Sequence, residues 1–147
     1  MIKKLIILFI FIQTLILLNC STTKQKMNTE SVVNSSELPS SVSYSMEFRR
    51  LWNDLKNESN EFNMQNFQPS EHLINTYRLK EISGSYVVSG MILVNNSFDI
   101  EDIINLKGSC SFYSDQLGSF AIPLEKIPAF VHLEGLERIE LGKEVYH

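Results

Sequence analysis

The hydrophobic positions of this chain follow three successive rules. Leu5 to Leu18 is an almost unbroken apolar run, interrupted only by Gln13 and Thr14 and preceded by Lys3 and Lys4. Ser21 to Ser43 has no period and is rich in Ser, Thr, Asn and Gln. From Tyr44 the apolar residues return in ordered patterns, first at helical spacing and then, from Tyr77, mostly at strand spacing.

Tyr44, Phe48, Leu51, Trp52 and Leu55 recur at i, i+4, i+7, i+8 and i+11, with Arg49, Arg50, Asn53, Asp54 and Lys56 between them. This spacing predicts an amphipathic helix, capped by Ser43 or Ser45 and fraying near Asn57 to Ser59. Its polar face mixes both signs of charge, so it reads as a cover for the following sheet rather than a membrane-surface or partner-binding helix. Asn60 to Gln68 reads as an ordered loop carrying Phe62, Met64 and Phe67, and Pro69-Ser70-Glu71 opens a short helical turn through Asn75.

Tyr77 to Ile82 and Tyr86 to Val94 alternate apolar and polar residues, with Ser83-Gly84-Ser85 as a hairpin signal. Asp99 to Lys107 is a short helix capped by Ser97 or Asp99 and stopped by Gly108; strands follow at Ser109 to Ser114 and Ser119 to Ile122. Lys126 to Leu133 is a further helix, which accommodates Pro128 only in its first turn, and Leu136 to Leu141 is a last strand. From Tyr86 the order is strand, helix, strand, strand, helix, strand. That order predicts an α+β, ferredoxin-like split βαβ domain, with both helices on one face of an antiparallel sheet. The strand at Tyr77 to Ile82 is expected to extend one edge. Ile92, Val94, Ile103, Phe112, Phe120, Ile122, Phe130 and Ile139 form the expected core, partly covered by Trp52 or Leu55.

The first segment carries the address. The fourteen residues from Leu5 to Leu18, at about 1.5 Å each, reach about 21 Å, short of a bilayer core of about 30 Å. A cationic start, an apolar run and an abrupt polar switch make a secretory signal, although the Ala-x-Ala pattern of plain cleavage is missing. Leu17-Leu18-Asn19-Cys20 resembles the lipobox of bacterial lipoproteins, in which the Cys is acylated and becomes the first residue of the mature protein. The lipoprotein reading accounts for a Cys placed where the apolar run stops. It implies a signal peptide over 1–19, a lipidated Cys20 with a flexible tether over 20–43, and one domain over 44–147. Acyl chains hold such a protein on a membrane without spanning it, at about 0.8 kcal/mol per buried methylene. The tether's ends are expected to lie about 25 Å apart. The expected location is the bacterial cell envelope, at the outer membrane, with the domain in the periplasm or at the cell surface.

Charge and chemistry narrow the function further. Loss of Lys3 and Lys4 with the signal takes the formal charge from −4 to −6, and no basic patch with interleaved aromatics exists, so nucleic acid is not an expected partner. Cys110 has no second cysteine within the domain and reads as a small buried hydrophobe. His72, His132 and His147 are far apart in sequence, without His-Glu-x-x-His or Cys-x-x-Cys, so no metal and no Cys–His nucleophile is expected. His132 reads as a half-buried surface histidine. Glu134, Glu137 and Glu140 read as a solvated strand face. With no Gly-rich phosphate loop, the chain is expected to carry no catalytic residues and no cofactor.

One longer stretch has a family likeness. Val87-Val88-Ser89-Gly90-Met91-Ile92-Leu93-Val94, Phe98-Asp99 with Leu106-Lys107-Gly108, Ile122-Pro123-Leu124, Phe130, and Leu133-Glu134-Gly135-Leu136-Glu137-Arg138-Ile139-Glu140 are the residues concerned. Together, over Tyr86 to Tyr146, they resemble the N-terminal propeptide-like domain that precedes the catalytic domain of many bacterial subtilisin-like proteases. None of that family's catalytic motifs is present: no Asp-Thr-Gly or Asp-Ser-Gly, no His-Gly-Thr, no Gly-Thr-Ser-Met. The resemblance implies an inhibitor or chaperone whose sheet packs on a protease, while Val145, Tyr146 and His147 enter the substrate cleft. The other expectation is an anchored envelope lipoprotein with a small non-catalytic binding or structural domain. A protease gene nearby that lacks its own propeptide distinguishes the two.

Overall fold

Ser85–Val94, the long run of alternating and β-branched residues, is the central strand of the domain. The computed structural model describes residues 36–142; the apolar run, Cys20, Val145, Tyr146 and His147 lie outside them. In chain order the elements are β1 (Ser43–Tyr44), α1 (Met46–Glu58), α2 (Glu71–Tyr77), β2 (Lys80–Ile82), β3 (Ser85–Val94), α3 (Ile100–Asn105), β4 (Ser109–Phe112), β5 (Leu117–Pro123), a 3-10 turn (Leu124–Lys126), α4 (Ile127–Phe130) and β6 (Leu136–Leu141).

Strands β6, β3, β5 and β4 lie side by side in that order, all antiparallel. That is the strand order of a ferredoxin-like split βαβ unit. Val88, Ile92, Val94, Phe120, Ile122 and Ile139 point to one side, where they share a core with Ile103 of α3 and with Ile127 and Phe130 of α4. Helix α1 joins the same core through Phe48, Leu51, Trp52 and Leu55. At about 1.5–3 kcal/mol for each fully buried large side chain, that stripe contributes on the order of 10 kcal/mol before ordering costs. The helix starts where Ser45 Oγ accepts the Phe48 N–H at 3.2 Å. Tyr44 stacks on Phe48 at 5.5 Å between ring centroids, and Trp52 meets Phe62 at 4.3 Å.

Several boundaries differ from the sequence pattern. The domain begins before Tyr44: Val42 is buried, Leu38 packs on the core, and Ser43 and Tyr44 pair in parallel with Arg138 and Ile139. Two apolar residues in a polar stretch give no period, yet each finds a place against the sheet edge. The expected strand at Tyr77 to Ile82 is shorter, because Tyr77 ends α2 and Arg78 turns left-handed at φ +49°. Only Lys80–Ile82 pair with β3, through a two-residue hairpin in which Ser83 and Gly84 both have positive φ, as a type I′ turn requires. Val87 pairs with both Lys80 and Pro123, so β2 lies in line with β6 and does not lengthen the outer edge.

Helix α3 ends in a Schellman motif whose left-handed residue is Lys107, at φ +60°, rather than Gly108. The Lys107 N–H reaches Ile104 O at 2.8 Å and the Gly108 N–H reaches Ile103 O at 3.0 Å. The expected helix at Lys126 to Leu133 is a 3-10 turn followed by a short α4, with Pro128 in the first turn. Leu136 and Ile139 both face the core although three residues apart, because a bulge between the Leu93–Arg138 and Val94–Leu136 pairs lets Glu137 loop out. Phe112, expected in the core, is 36% exposed. Among the described residues its strand pairs only with β5 and no further strand screens that end of the sheet; its ring packs edge-on to Phe98 at 6.1 Å.

Gly90 sits where β3 is most tightly enclosed. A Cβ there lies 2.0 Å from the Glu140 carbonyl oxygen and 2.9 Å from Phe120 Cε1. Gly90→Ala is therefore expected to destabilise the domain by about 1–3 kcal/mol, because backbone of β6 has to move. Without the clash, the lower unfolded-state entropy of alanine would stabilise instead, by up to about 1 kcal/mol. Urea unfolding of the variant reads the sign directly.

Candidate functional site

The strands that send Val88, Gly90, Ile92, Phe120 and Ile122 inward send Ser89, Met91, Ser119 and Ala121 outward, and β4 adds Ser109 and Ser111. No described helix covers this second face. Short side chains leave it concave: an open depression of about 770 Å³ runs across the four strands. Ser89, Ser109, Ser111, Ser119 and Ala121 line its floor, with Met91, Tyr113 and Glu140 among the larger groups around it. Met91 and Tyr113 are 38% and 68% exposed. Charge is confined to one side, where Arg138 pairs with Glu140 on β6 and Glu47 approaches from α1. The face can offer hydroxyls and modest apolar surface; it presents no cluster able to do chemistry.

Gly142 lies at the border of this depression, and its N–H donates to Ser89 O at 3.0 Å. The chain thus leaves the last strand next to the open face. Val145, Tyr146 and His147 follow outside the described residues, as Cys20 precedes them.

The other residues singled out from sequence are dispersed. Cys110 is half-buried beneath the depression, and burial pushes its thiol above the usual value. His72 is exposed on α2, with Nδ1 3.4 Å from Thr76 Oγ1. His132 is half-buried with its Nε2 enclosed and unpartnered, and burial lowers its pKa. Glu134 and Glu137 are exposed and Glu140 half-buried. Among the described residues, no three His, Cys, Asp or Glu side chains are grouped to hold a metal ion, and no helix is long and apolar enough to cross a membrane. Elsewhere, Tyr77 donates to Asp54 Oδ2 at 2.6 Å and ties α2 to α1; burial first, then this bond, raises its pKa. Burial pushes Tyr44 up to about 12.

The His132 shift carries a pH signature. A histidine harder to protonate when folded makes the unfolded state the stronger proton binder below its ordinary value of 6.5. Stability is expected to be complete above that pH and to fall as pH drops through it toward the lower folded-state value. His132→Gln should flatten this slope in thermal melts between about pH 5 and 7, a window set by the ordinary histidine pKa.

The serine face was legible in the same alternation that located the core, since Ser89, Ser119 and Ala121 alternate with inward residues of β3 and β5. Reading only the buried half of the pattern passes over it. In comparisons with known proteins, no family model, no curated protein and no solved structure matches this chain.

Proposed function

We propose that this chain is a lipid-anchored protein of the bacterial envelope whose domain binds another protein and catalyses nothing. The observation that carries this reading is the uncovered, small-residue face of the sheet, about as broad as four strands and largely uncharged. Antiparallel sheets often leave one face to water, but this one is concave, weakly charged and edged by Met91 and Tyr113, a surface that suits a protein partner. Acylated Cys20 supplies the membrane attachment, and the segment between it and the domain supplies the spacer. Two measurements test the two halves separately. Mass spectrometry of the membrane fraction should find an acylated Cys20 as the first residue, and Cys20→Ala should abolish that species; an unmodified mature terminus elsewhere rejects the anchor. A photoreactive residue at Ser119, on the open face, should give one discrete protein adduct in cells, whereas one at Glu101 on α3 should give none. Equal labelling at both positions rejects the face as the binding surface.

A second reading names the partner as an exported subtilisin-like protease, with Val145, Tyr146 and His147 in its substrate cleft. It is favoured by the strand order β6-β3-β5-β4, which the family resemblance implies, and by the exit of the chain at Gly142 beside the open face.

A further inference from the structure

We propose that the free edge of β4 pairs with the same strand of a second copy of this chain. Among the described residues, β4 bonds only to β5, and nothing pairs with its other side. The Tyr113 N–H donates to Leu117 O at 2.8 Å, which sets the alternation along this ladder. Ser109 and Ser111 direct their backbone groups to β5; Cys110 and Phe112 direct theirs to the open side. The segment Ser109 to Tyr113 holds none of the devices that ordinarily blunt an edge: no Lys, no Pro, no bulge.

The sequence fits itself across a two-fold axis at Ser111. In that antiparallel register Cys110 of each copy opposes Phe112 of the other, and each such pair exchanges both of its free backbone bonds. The side chains of these pairs meet as sulfur against aromatic ring, a favourable contact. Beyond the ladder, Lys107 precedes β4 and Asp115 follows it, so each end of the seam has Lys107 of one copy on the same side as Asp115 of the other, and both residues are exposed. A four-residue seam is short, so side chains must supply the rest of the contact. Ile104, on the helix packed against β4, Phe112, on β4, and Tyr113, just beyond it, are 51%, 36% and 68% exposed. The seam runs along the border of the serine-lined depression, which Ser109, Ser111 and Tyr113 also line, and in-plane strand pairing extends that open face rather than covering it.

The register makes a specific prediction. Ser111 opposes its own copy in a non-hydrogen-bonded pair, where Cα atoms lie about 4.5 Å apart, within the range a disulfide bridges. Full-length chain carrying Cys110→Ser, with Ser111→Cys or Ser109→Cys added, is oxidised mildly in its own membranes and run on a non-reducing gel. Over the Cys110→Ser background, the Ser111→Cys form should link at least about tenfold more than the Ser109→Cys form, whose thiols are four residues out of register and beyond disulfide reach. Lys107→Glu should reduce the linked fraction, and adding Asp115→Lys should restore it. Equal linking at 109 and 111, or none above background at 111, overturns the proposal. So does a detergent-solubilised wild-type chain that sediments as a monomer at every concentration tested.

Discussion

Phe120→Ala is expected to cost about 3–5 kcal/mol, a large part of the stability of a domain this size. Phe120 is 3% exposed, lies on the middle strand pair, and packs on Phe130 with ring centroids 4.8 Å apart. It also approaches the Cα of Gly90, so truncation removes a contact that no neighbouring side chain replaces. The cavity opens where β3, β5 and α4 meet, and ladder bonds on both sides keep β5 from collapsing into it. Phe112→Ala is the internal control. Its ring is 36% exposed at the sheet edge, and its loss should cost about 1 kcal/mol, the middle of the range for ordinary substitutions. Denaturant unfolding with an unchanged m-value reads both. A cost below about 1 kcal/mol for Phe120→Ala, or equal costs for the two, would place the core elsewhere.

That contrast shows what was legible in the sequence. Phe112 and Phe120 occupy equivalent alternating positions, and the pattern alone assigns both inward. Both do point to the helix side; which of them is buried depends on strand order, and β5 has neighbours on both sides while β4 has one. Pro128 gave its position away, because only a first helical turn accommodates a residue without an N–H. Lys107 did not: the neighbouring Gly108 looks like the helix stop, but its lack of a side chain serves packing, since a Cβ there lies 2.3 Å from Ile122 Cδ1. Val42 and Leu38 were hidden for a different reason. Their contacts are with β6 and the core, close to a hundred residues away in sequence, and no local period records them. The open face was present in the sequence as Ser89, Ser109, Ser111 and Ser119 of β3, β4 and β5, but its significance needed the knowledge that no described helix covers it.

The consequence for function is a division of labour within one sheet. Helices occupy one face and supply stability; the opposite face is built from residues too small and too polar to contribute much to the core, so substitutions there can alter binding with little effect on folding. A Ser119→Arg change, for example, adds bulk to the open side while leaving Phe120 and Ile122 in place. Such separation lets the binding half of the proposal be tested in a protein that still folds.

Deleting residues 143–147 is the sharpest such test for the protease reading, and its expected result is complete loss of inhibition with the domain intact. The core is finished by Leu141, and the last described backbone bond is from the Gly142 N–H to Ser89 O at 3.0 Å. The described bonds that hold β6 against β3 all lie at or before Gly142. In the cleft-filling mechanism, main-chain pairing of the tail with the enzyme supplies affinity and one or two side chains supply selectivity. Tyr146 is the expected anchor, because a large aromatic seated in a pocket often contributes 2 kcal/mol or more, about thirtyfold in binding. Tyr146→Ala should therefore weaken inhibition of a purified exported subtilisin-like protease by about that factor, and the deletion should remove it, while both variants unfold at the wild-type denaturant midpoint. Equal inhibition with and without the tail would transfer the interaction to the sheet face alone. No inhibition by either form would reject the protease as partner and leave the anchored binding domain to be identified through its serine face.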